Sequence, residues 1–288
     1  MRKEYLMIYD CFLYYDEDML LDIRLNSLDD AVDYFVIVES THTFTGKTKK
    51  LNFDIDKYER FKDKIIYVVF DELPILENGK AGNYDAWANE AATRNAIMRG
   101  LKKAKDEDLI LISDVDEIFN SAIIKKINPK KLCTILYMPF YNYQFNLQVF
   151  NADGSERQCR LPRATNMHNL KHYFDGKPEL FRNIKKSELY SNFISRNWFK
   201  LRSEVIKNAG WHFSWIMTPE RISEKMSSIS HTEYDLPHLN NKEHIIDALK
   251  NGKDLWNRER KLVRQELTND KFPSYLVANR EKFKQFVL

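Results

Sequence analysis

The run Leu109-Ile110-Leu111-Ile112-Ser113-Asp114-Val115-Asp116-Glu117 decides the reading of this chain: four apolar residues followed within five positions by three carboxylates. An unbroken Leu/Ile run bounded by polar residues suits a strand covered on both faces, as in a parallel sheet flanked by helices. In such sheets ligands bind at the carboxyl ends of the strands, where these acids stand. Side chains two apart on a strand point the same way, so Asp114 and Asp116 are expected to converge on a hard divalent cation, Mg or Mn, whose shell a diphosphate would complete. The competing reading is that the acids cap a helix over 118–127. Asp-x-Asp alone is weak evidence: Asp16-Glu17-Asp18, Asp54-Ile55-Asp56 and Asp106-Glu107-Asp108 repeat it without a preceding apolar run, and read as solvated turns or helix starts.

Outward from this stretch, 5–15 reads as a strand and 16–30 as a helix with acids in its first turn and Met19, Leu20, Ile23 and Leu28 near one face. Strands follow at 34–38 and 65–70, then a long helix over 85–105 that feeds the strand at Leu109. The order strand, helix, strand, strand, helix, strand predicts an α/β fold with a mainly parallel central sheet. Beyond Ser121 the pattern changes. Residues 134–149 are dense in aromatics and suggest strands lining an aromatic surface, which suits either a core or a sugar ring. Residues 151–186 read as a polar, irregular loop over the site. Ile245, Ile246, Leu249, Leu255 and Leu262 suggest closing helices. The expected organisation is one domain over 1–288, in three parts: 1–120, 121–240 and closing helices over 241–288.

Composition narrows the partners. The 288 residues carry 45 basic and 42 acidic side chains, scattered along the chain, which gives a nucleic-acid reading little electrostatic support. Hydrophobic residues at 43% and charged residues at 30% fit a folded globular chain. Cys11, Cys133 and Cys159 lack metal-ligand spacing. With no apolar run of membrane-spanning length and no signal peptide, a cytoplasmic location is expected. No G-x-G-x-x-G is present, and the lone Gly46 in Thr45-Gly46-Lys47-Thr48-Lys49 is far from a phosphate-cradling loop, so dinucleotide and Walker-type chemistry are disfavoured.

A nucleotide-diphosphate sugar needs a base and ribose pocket, positive charge at the diphosphate, and a group to deprotonate the acceptor. Glu39 ends a strand and is a candidate for the nucleoside. Trp87, Glu90 and Arg94 fall at three- and four-residue steps on one helix face, with Arg94 a candidate for a phosphate. Lys47 is a second such candidate. His212, in Gly210-Trp211-His212-Phe213-Ser214, reads as a core histidine or a further metal ligand beside Asp116. Glu117, Glu179, Glu220 and Glu233 are candidate general bases that the sequence does not rank.

The chain resembles glycosyltransferase family 17. The resemblance is carried by Ile8-Tyr9-Asp10-Cys11-Phe12 with Ile23-Arg24-Leu25-Asn26, and by Val32-Asp33-Tyr34-Phe35-Val36-Ile37-Val38-Glu39-Ser40 leading to Thr43-Phe44-Thr45-Gly46-Lys47. Glu90 with Arg94, Ile112-Ser113-Asp114-Val115-Asp116-Glu117-Ile118, Gly210-Trp211-His212-Phe213-Ser214 and Gly252-Lys253-Asp254-Leu255 complete it. It implies a GT-A type nucleotide-diphospho-sugar transferase fold, a UDP-sugar donor such as UDP-GlcNAc, and a glycan or glycoconjugate acceptor. It also implies an inverting transfer assisted by a divalent metal (Mn or Mg), with Glu39 at the nucleoside and Asp116 at the metal. The familiar eukaryotic members carry a Golgi anchor and stem that this sequence does not show, so a lipid-linked or surface glycan precursor is the expected acceptor. Two other classes remain open: a sugar-phosphate nucleotidyltransferase, and a noncatalytic glycan-binding protein.

Overall fold

The computed structural model describes residues 6–80, 83–227 and 235–288. The strands are β1 (Ile8–Leu13), β2 (Tyr34–Ser40), β3 (Ile65–Phe70), β4 (Leu109–Ile112), β5 (Glu117–Phe119), β6 (Cys133–Leu136), β7 (Met138–Asn142), β8 (Leu147–Asn151), β9 (Gln158–Cys159), β10 (Arg163–Asn166), β11 (Ser203–Ile206), β12 (Gly210–Ser214) and β13 (Arg260–Arg264). The α-helices are α1 (Asp18–Leu28), α2 (Ala86–Asn95), α3 (Ile97–Gly100), α4 (Ser121–Ile124), α5 (Met167–Tyr173), α6 (Pro178–Arg182), α7 (Phe193–Arg202), α8 (Pro219–Met226), α9 (Lys242–Lys250) and α10 (Ser274–Ala278).

A seven-stranded sheet runs β11-β6-β10-β4-β1-β2-β3, and a smaller sheet runs β13-β8-β7-β12-β5 with β9 beside β7. In the larger sheet β4, β1, β2 and β3 are parallel, and β10 enters antiparallel between β4 and β6. The α/β class and mainly parallel sheet are those expected. The apolar run at Leu109 behaves as a doubly covered strand should. Leu109 and Leu111 join Phe12, Phe35 and Ile37 on the face that receives Leu21, Leu25 and Leu28 of α1. Ile110 and Ile112 join Cys11, Val36 and Val38 on the face that receives Ile97 of α3 and Leu170 of α5. Gly100 ends α3 where it crosses β2, and a Cβ there would stand 2.4 Å from Val36 Cγ1.

Several sequence expectations are corrected. The long helix over 85–105 is two pieces, joined at Ala96, whose N–H is shared among the carbonyls of Ala92, Thr93 and Arg94. No helix runs over 118–127. Glu117–Phe119 instead forms β5 and pairs antiparallel with β12, His212 opposite Glu117 and Gly210 opposite Phe119, and only the short α4 follows, capped by Asn120. Gly210 permits this pairing, because a Cβ there would lie 2.1 Å from the Ile118 carbonyl oxygen. The acids at 114–117 therefore occupy a turn between two strands and do not cap a helix. The stretch 151–186 is not an irregular loop: it contains β9, β10, α5 and α6. The closing segment is not all helical either, since Leu262 lies in β13, paired with β8. β6, β10 and β11, from the 121–240 part of the chain, extend the sheet that 1–120 begins.

One buried cation ties these parts together. Arg24 of α1 is fully buried, with a two-point contact to Asp10 of β1 (Nη2–Oδ1 2.6 Å, Nε–Oδ2 2.7 Å). It also donates to Ser113 Oγ (2.6 Å) and to the carbonyls of Asp114 (2.7 Å) and Glu117 (3.0 Å). Its guanidinium lies 4.2 Å from the Phe12 ring centroid. The Arg24→Met variant strands the Asp10 carboxylate in the core, and its stability should fall by about 3–5 kcal/mol in urea denaturation. A loss under about 1 kcal/mol would show that the turn holds without it.

Candidate functional site

The carboxyl ends of β1, β2 and β4 open into a cleft of about 330 Å³. After β1 it is lined by Tyr14, Tyr15, Asp16 and Glu17, after β2 by His42, Thr43 and Phe44, and after β4 by Asp114, Val115 and Asp116. Trp87, Glu90 and Arg94 of α2 form one wall. Arg182 of α6 and Arg221 and Lys225 of α8 supply cations from parts of the chain far apart in sequence. Sheet order explains the placement: β2 and β4 flank β1 on opposite sides, which leaves a crevice where the chain changes direction.

Asp114 and Asp116 do not share a partner. Asp114 Oδ1 accepts from Arg94 Nη1 (2.6 Å) and its Oδ2 from Arg182 Nη2 (2.5 Å). Burial pushes its carboxyl up, but Arg182 and then Arg94 outweigh this and hold it well below the usual carboxylate range. Arg94 also binds Glu90 (2.5 Å) and Glu179 (2.8 Å), and Arg182 binds the fully buried Glu117 (2.7 Å). Asp116 stands against His212, with Nε2 3.4 Å from Oδ2. Burial raises the Asp116 carboxyl, and the imidazole outweighs it and lowers it. Burial would lower His212, yet Asp116, followed by Cys159, raises it well above an ordinary imidazole. The β5–β12 pairing builds this contact, and the Phe213 amide donates to the Asp116 carbonyl (2.8 Å). His212 Nδ1 is buried and has no hydrogen-bond partner among the described residues.

The other sequence candidates divide clearly. Trp87, Arg94, Asp114 and Asp116 line the cleft. Glu39 is fully buried behind its wall and accepts from Lys49 Nζ, the Asn52 amide (2.7 Å), the Phe53 amide (3.0 Å) and Tyr67 Oη (2.9 Å). It thereby clamps residues 49–53 to the end of β2, and Lys49, not Lys47, reaches the cleft. Among the base candidates, Glu117 has no exposed surface and also accepts from the Cys159 thiol (3.1 Å). Glu117, Cys159 and His212 offer ligand atoms within 4.8 Å of one another, but the Glu117 carboxylate is already held by Arg182. Glu179 braces Arg94, and Glu220 pairs with Lys242 (2.7 Å) at the surface. Glu233 lies outside the described residues.

The acids that do open on the cleft, besides Asp114 and Asp116, are Asp16, Glu17 and Glu90. Asp16 pairs with Arg221, and Glu17 lies 3.7 Å from Lys225. Burial pushes the Glu17 carboxyl up, with Lys225 opposing. The sequence reads Asp16 and Glu17 as a solvated turn or the first turn of a helix, but the helix begins at Asp18 and both acids lie before it. Their one available signal was the position directly after a strand in the parallel set.

The glycosyltransferase family 17 model matches residues 1–180. The chain belongs to glycosyltransferase family 17. It is 24% identical to the β-1,4-mannosyl-glycoprotein 4-β-N-acetylglucosaminyltransferases of Rattus norvegicus and Homo sapiens, over 75% of its own length in each case. It spans about two fifths of those relatives, 41% and 42% respectively. Among solved structures, S. aureus TarS 1-349 is similar at 16% identity and a TM-score of 0.38, over 85% of this chain and 71% of that one. Among the described residues of this family member, no helix is long and apolar enough to cross a membrane.

The Asp114 ion pairs have a pH signature. A carboxyl held below its unfolded value stabilises the fold fully above the ordinary range, about pH 4, and that contribution drains away as pH falls further. Stability of the wild type should therefore decline more steeply below pH 4 than that of Asp114→Asn, as measured by urea midpoints across pH 2–6. Parallel curves would show that the guanidinium pairs do not persist in solution.

Proposed function

We propose that this chain is an inverting, metal-dependent glycosyltransferase that moves GlcNAc from UDP-GlcNAc to a hydroxyl of a glycan acceptor. The observation that carries this reading is the Asp116–His212 pair beyond the carboxyl end of β4, in which Asp116 lines the cleft of a family 17 chain and His212 stands behind it. The names of the curated relatives support the sugar.

A divalent cation fits the pair. Oxygen and imidazole nitrogen donors suit Mn, and Asp116 Oδ2 and His212 Nε2 stand 3.4 Å apart, near enough to be donors to one ion. Asp114 fits less well, because both its oxygens are taken by guanidinium groups. Five acidic and five basic side chains line the cleft, so a bound diphosphate adds negative charge that the protein does not itself offset. When bound, the metal supplies that positive charge as a Lewis acid toward the departing nucleotide.

The rest falls to the protein's own groups. Arg94 and Arg182 stay charged and, held by four carboxylates, contribute a fixed positive potential to the wall beside the diphosphate while their N–H groups remain on those carboxylates. Trp87, half exposed on the rim, offers a flat apolar face to a sugar ring. The acceptor proton goes to a carboxylate that opens on the cleft, Glu17 or Glu90. Glu17 has the raised pKa that suits a general base.

Calorimetric titration of UDP should give binding that Mn strengthens, lost in Asp116→Asn and retained in Lys47→Ala and Glu220→Gln. Binding indifferent to metal in wild type and variant alike would overturn the metal role. In donor-turnover assays one of Glu17→Gln and Glu90→Gln should lower kcat by about a hundred- to ten-thousand-fold, roughly 3–5 kcal/mol of barrier, with UDP affinity preserved. If both retain wild-type kcat, neither acid is the base.

A further inference from the structure

The surface helix α7 presents a face that the site does not use. It packs inward through Phe199, which is 1% exposed and meets Tyr190 edge-on at 5.4 Å. On its outer side Phe193, Asn197 and Leu201 follow at four-residue steps, with Ile194 beside them. Phe193, Ile194 and Leu201 are 70%, 80% and 82% exposed, and among large apolar side chains of the described residues only Leu73, at 84%, is more open. Scattered single apolar residues are ordinary on a protein surface, but three on one helical face are a patch. Val205, 50% exposed on the adjoining edge strand β11, lies next in the chain.

Charge in the stretch that bears the patch is mainly positive. Between 185 and 207 the chain carries Lys185, Lys186, Arg196, Lys200, Arg202 and Lys207 against Glu188 and Glu204. Glu204 is occupied within the sheet, accepting from Thr134 Oγ1 at 2.8 Å. On the helix, Arg196 and Lys200 flank the apolar face on one side and Arg202 on the other. The apolar groups project outward from a surface helix. Projecting Phe, Ile and Leu between flanking cations is the pattern of a helix lying in a bilayer interface, its apolar tips among the acyl chains and its cations at anionic headgroups.

We infer that α7 and its basic flanks dock this protein on an anionic lipid bilayer. The inference stands on exposure and charge and does not depend on the transfer reaction.

Vesicle co-sedimentation at low salt tests it. The full chain should pellet with phosphatidylcholine vesicles containing phosphatidylglycerol and stay in solution with phosphatidylcholine alone. Ile194→Glu/Leu201→Glu should abolish pelleting. Lys200→Glu/Arg202→Glu should weaken it about thirty-fold or more, at roughly a factor of five per cation. Far-UV circular dichroism and the urea unfolding midpoint serve as folding controls, and none of these residues lines the cleft. No pelleting with anionic vesicles, or equal pelleting with neutral ones, would overturn the inference. So would a vesicle-free wild-type dimer in sedimentation velocity that Ile194→Glu/Leu201→Glu dissociates, because a second copy would then cover the face.

Discussion

Everything at the site hangs from the fully buried guanidinium of Arg24. An arginine with no water contact is tolerable only when its donors are spent on fixed acceptors, and here these are Asp10 of β1, Ser113 and the carbonyls of the turn that follows β4. Three pieces distant in sequence are thus locked into one arrangement: a helix, the central strand and the turn bearing Asp114 and Asp116. A salt bridge of this kind adds little net stability compared with an apolar core. Its directional bonds do pin the turn's backbone, which apolar packing cannot do.

A second layer of constraint acts on the side chains of that turn. Asp114 is anchored between Arg94 and Arg182, and those two arginines are anchored by Glu90, Glu179 and Glu117. Asp116, two residues on, is left to His212. The motif therefore splits its labour: both carboxylates line the cleft, Asp114 holding the cationic wall in place and Asp116 set against an imidazole. The split arises because the chain turns immediately after Ile112, so the alternation that would aim both acids the same way ends before reaching them.

Electrostatic balance connects this frame to the proposed chemistry. The cleft's acids and bases neutralise one another through Arg221 with Asp16, Lys225 with Glu17 and Arg94 with Glu90. A phosphate-bearing ligand entering the cleft competes for cations already committed to carboxylates. In the proposed transfer reaction a divalent cation at Asp116 would relieve that competition locally and so tie nucleotide affinity to metal.

The chain by itself determined the doubly buried strand at 109–112, the strand at 65–70, the α/β order, and the arrival of acids at a sheet edge, because these follow from local hydrophobic patterning. It also made Trp87, Glu90 and Arg94 legible as one face, because helical spacing is local. Tertiary structure decided the rest. Residues 117–119 became a strand because β12 offered an edge that a helix could not have paired with, and that pairing put His212 beside Asp116. Glu39 became a clamp for residues 49–53 because four donors converge on it from beyond its own strand. Arg182, Arg221 and Lys225 entered the cleft from segments with no sequence signal for it. Their positions depend on helix packing between distant parts of the chain, and no short-range pattern encodes that.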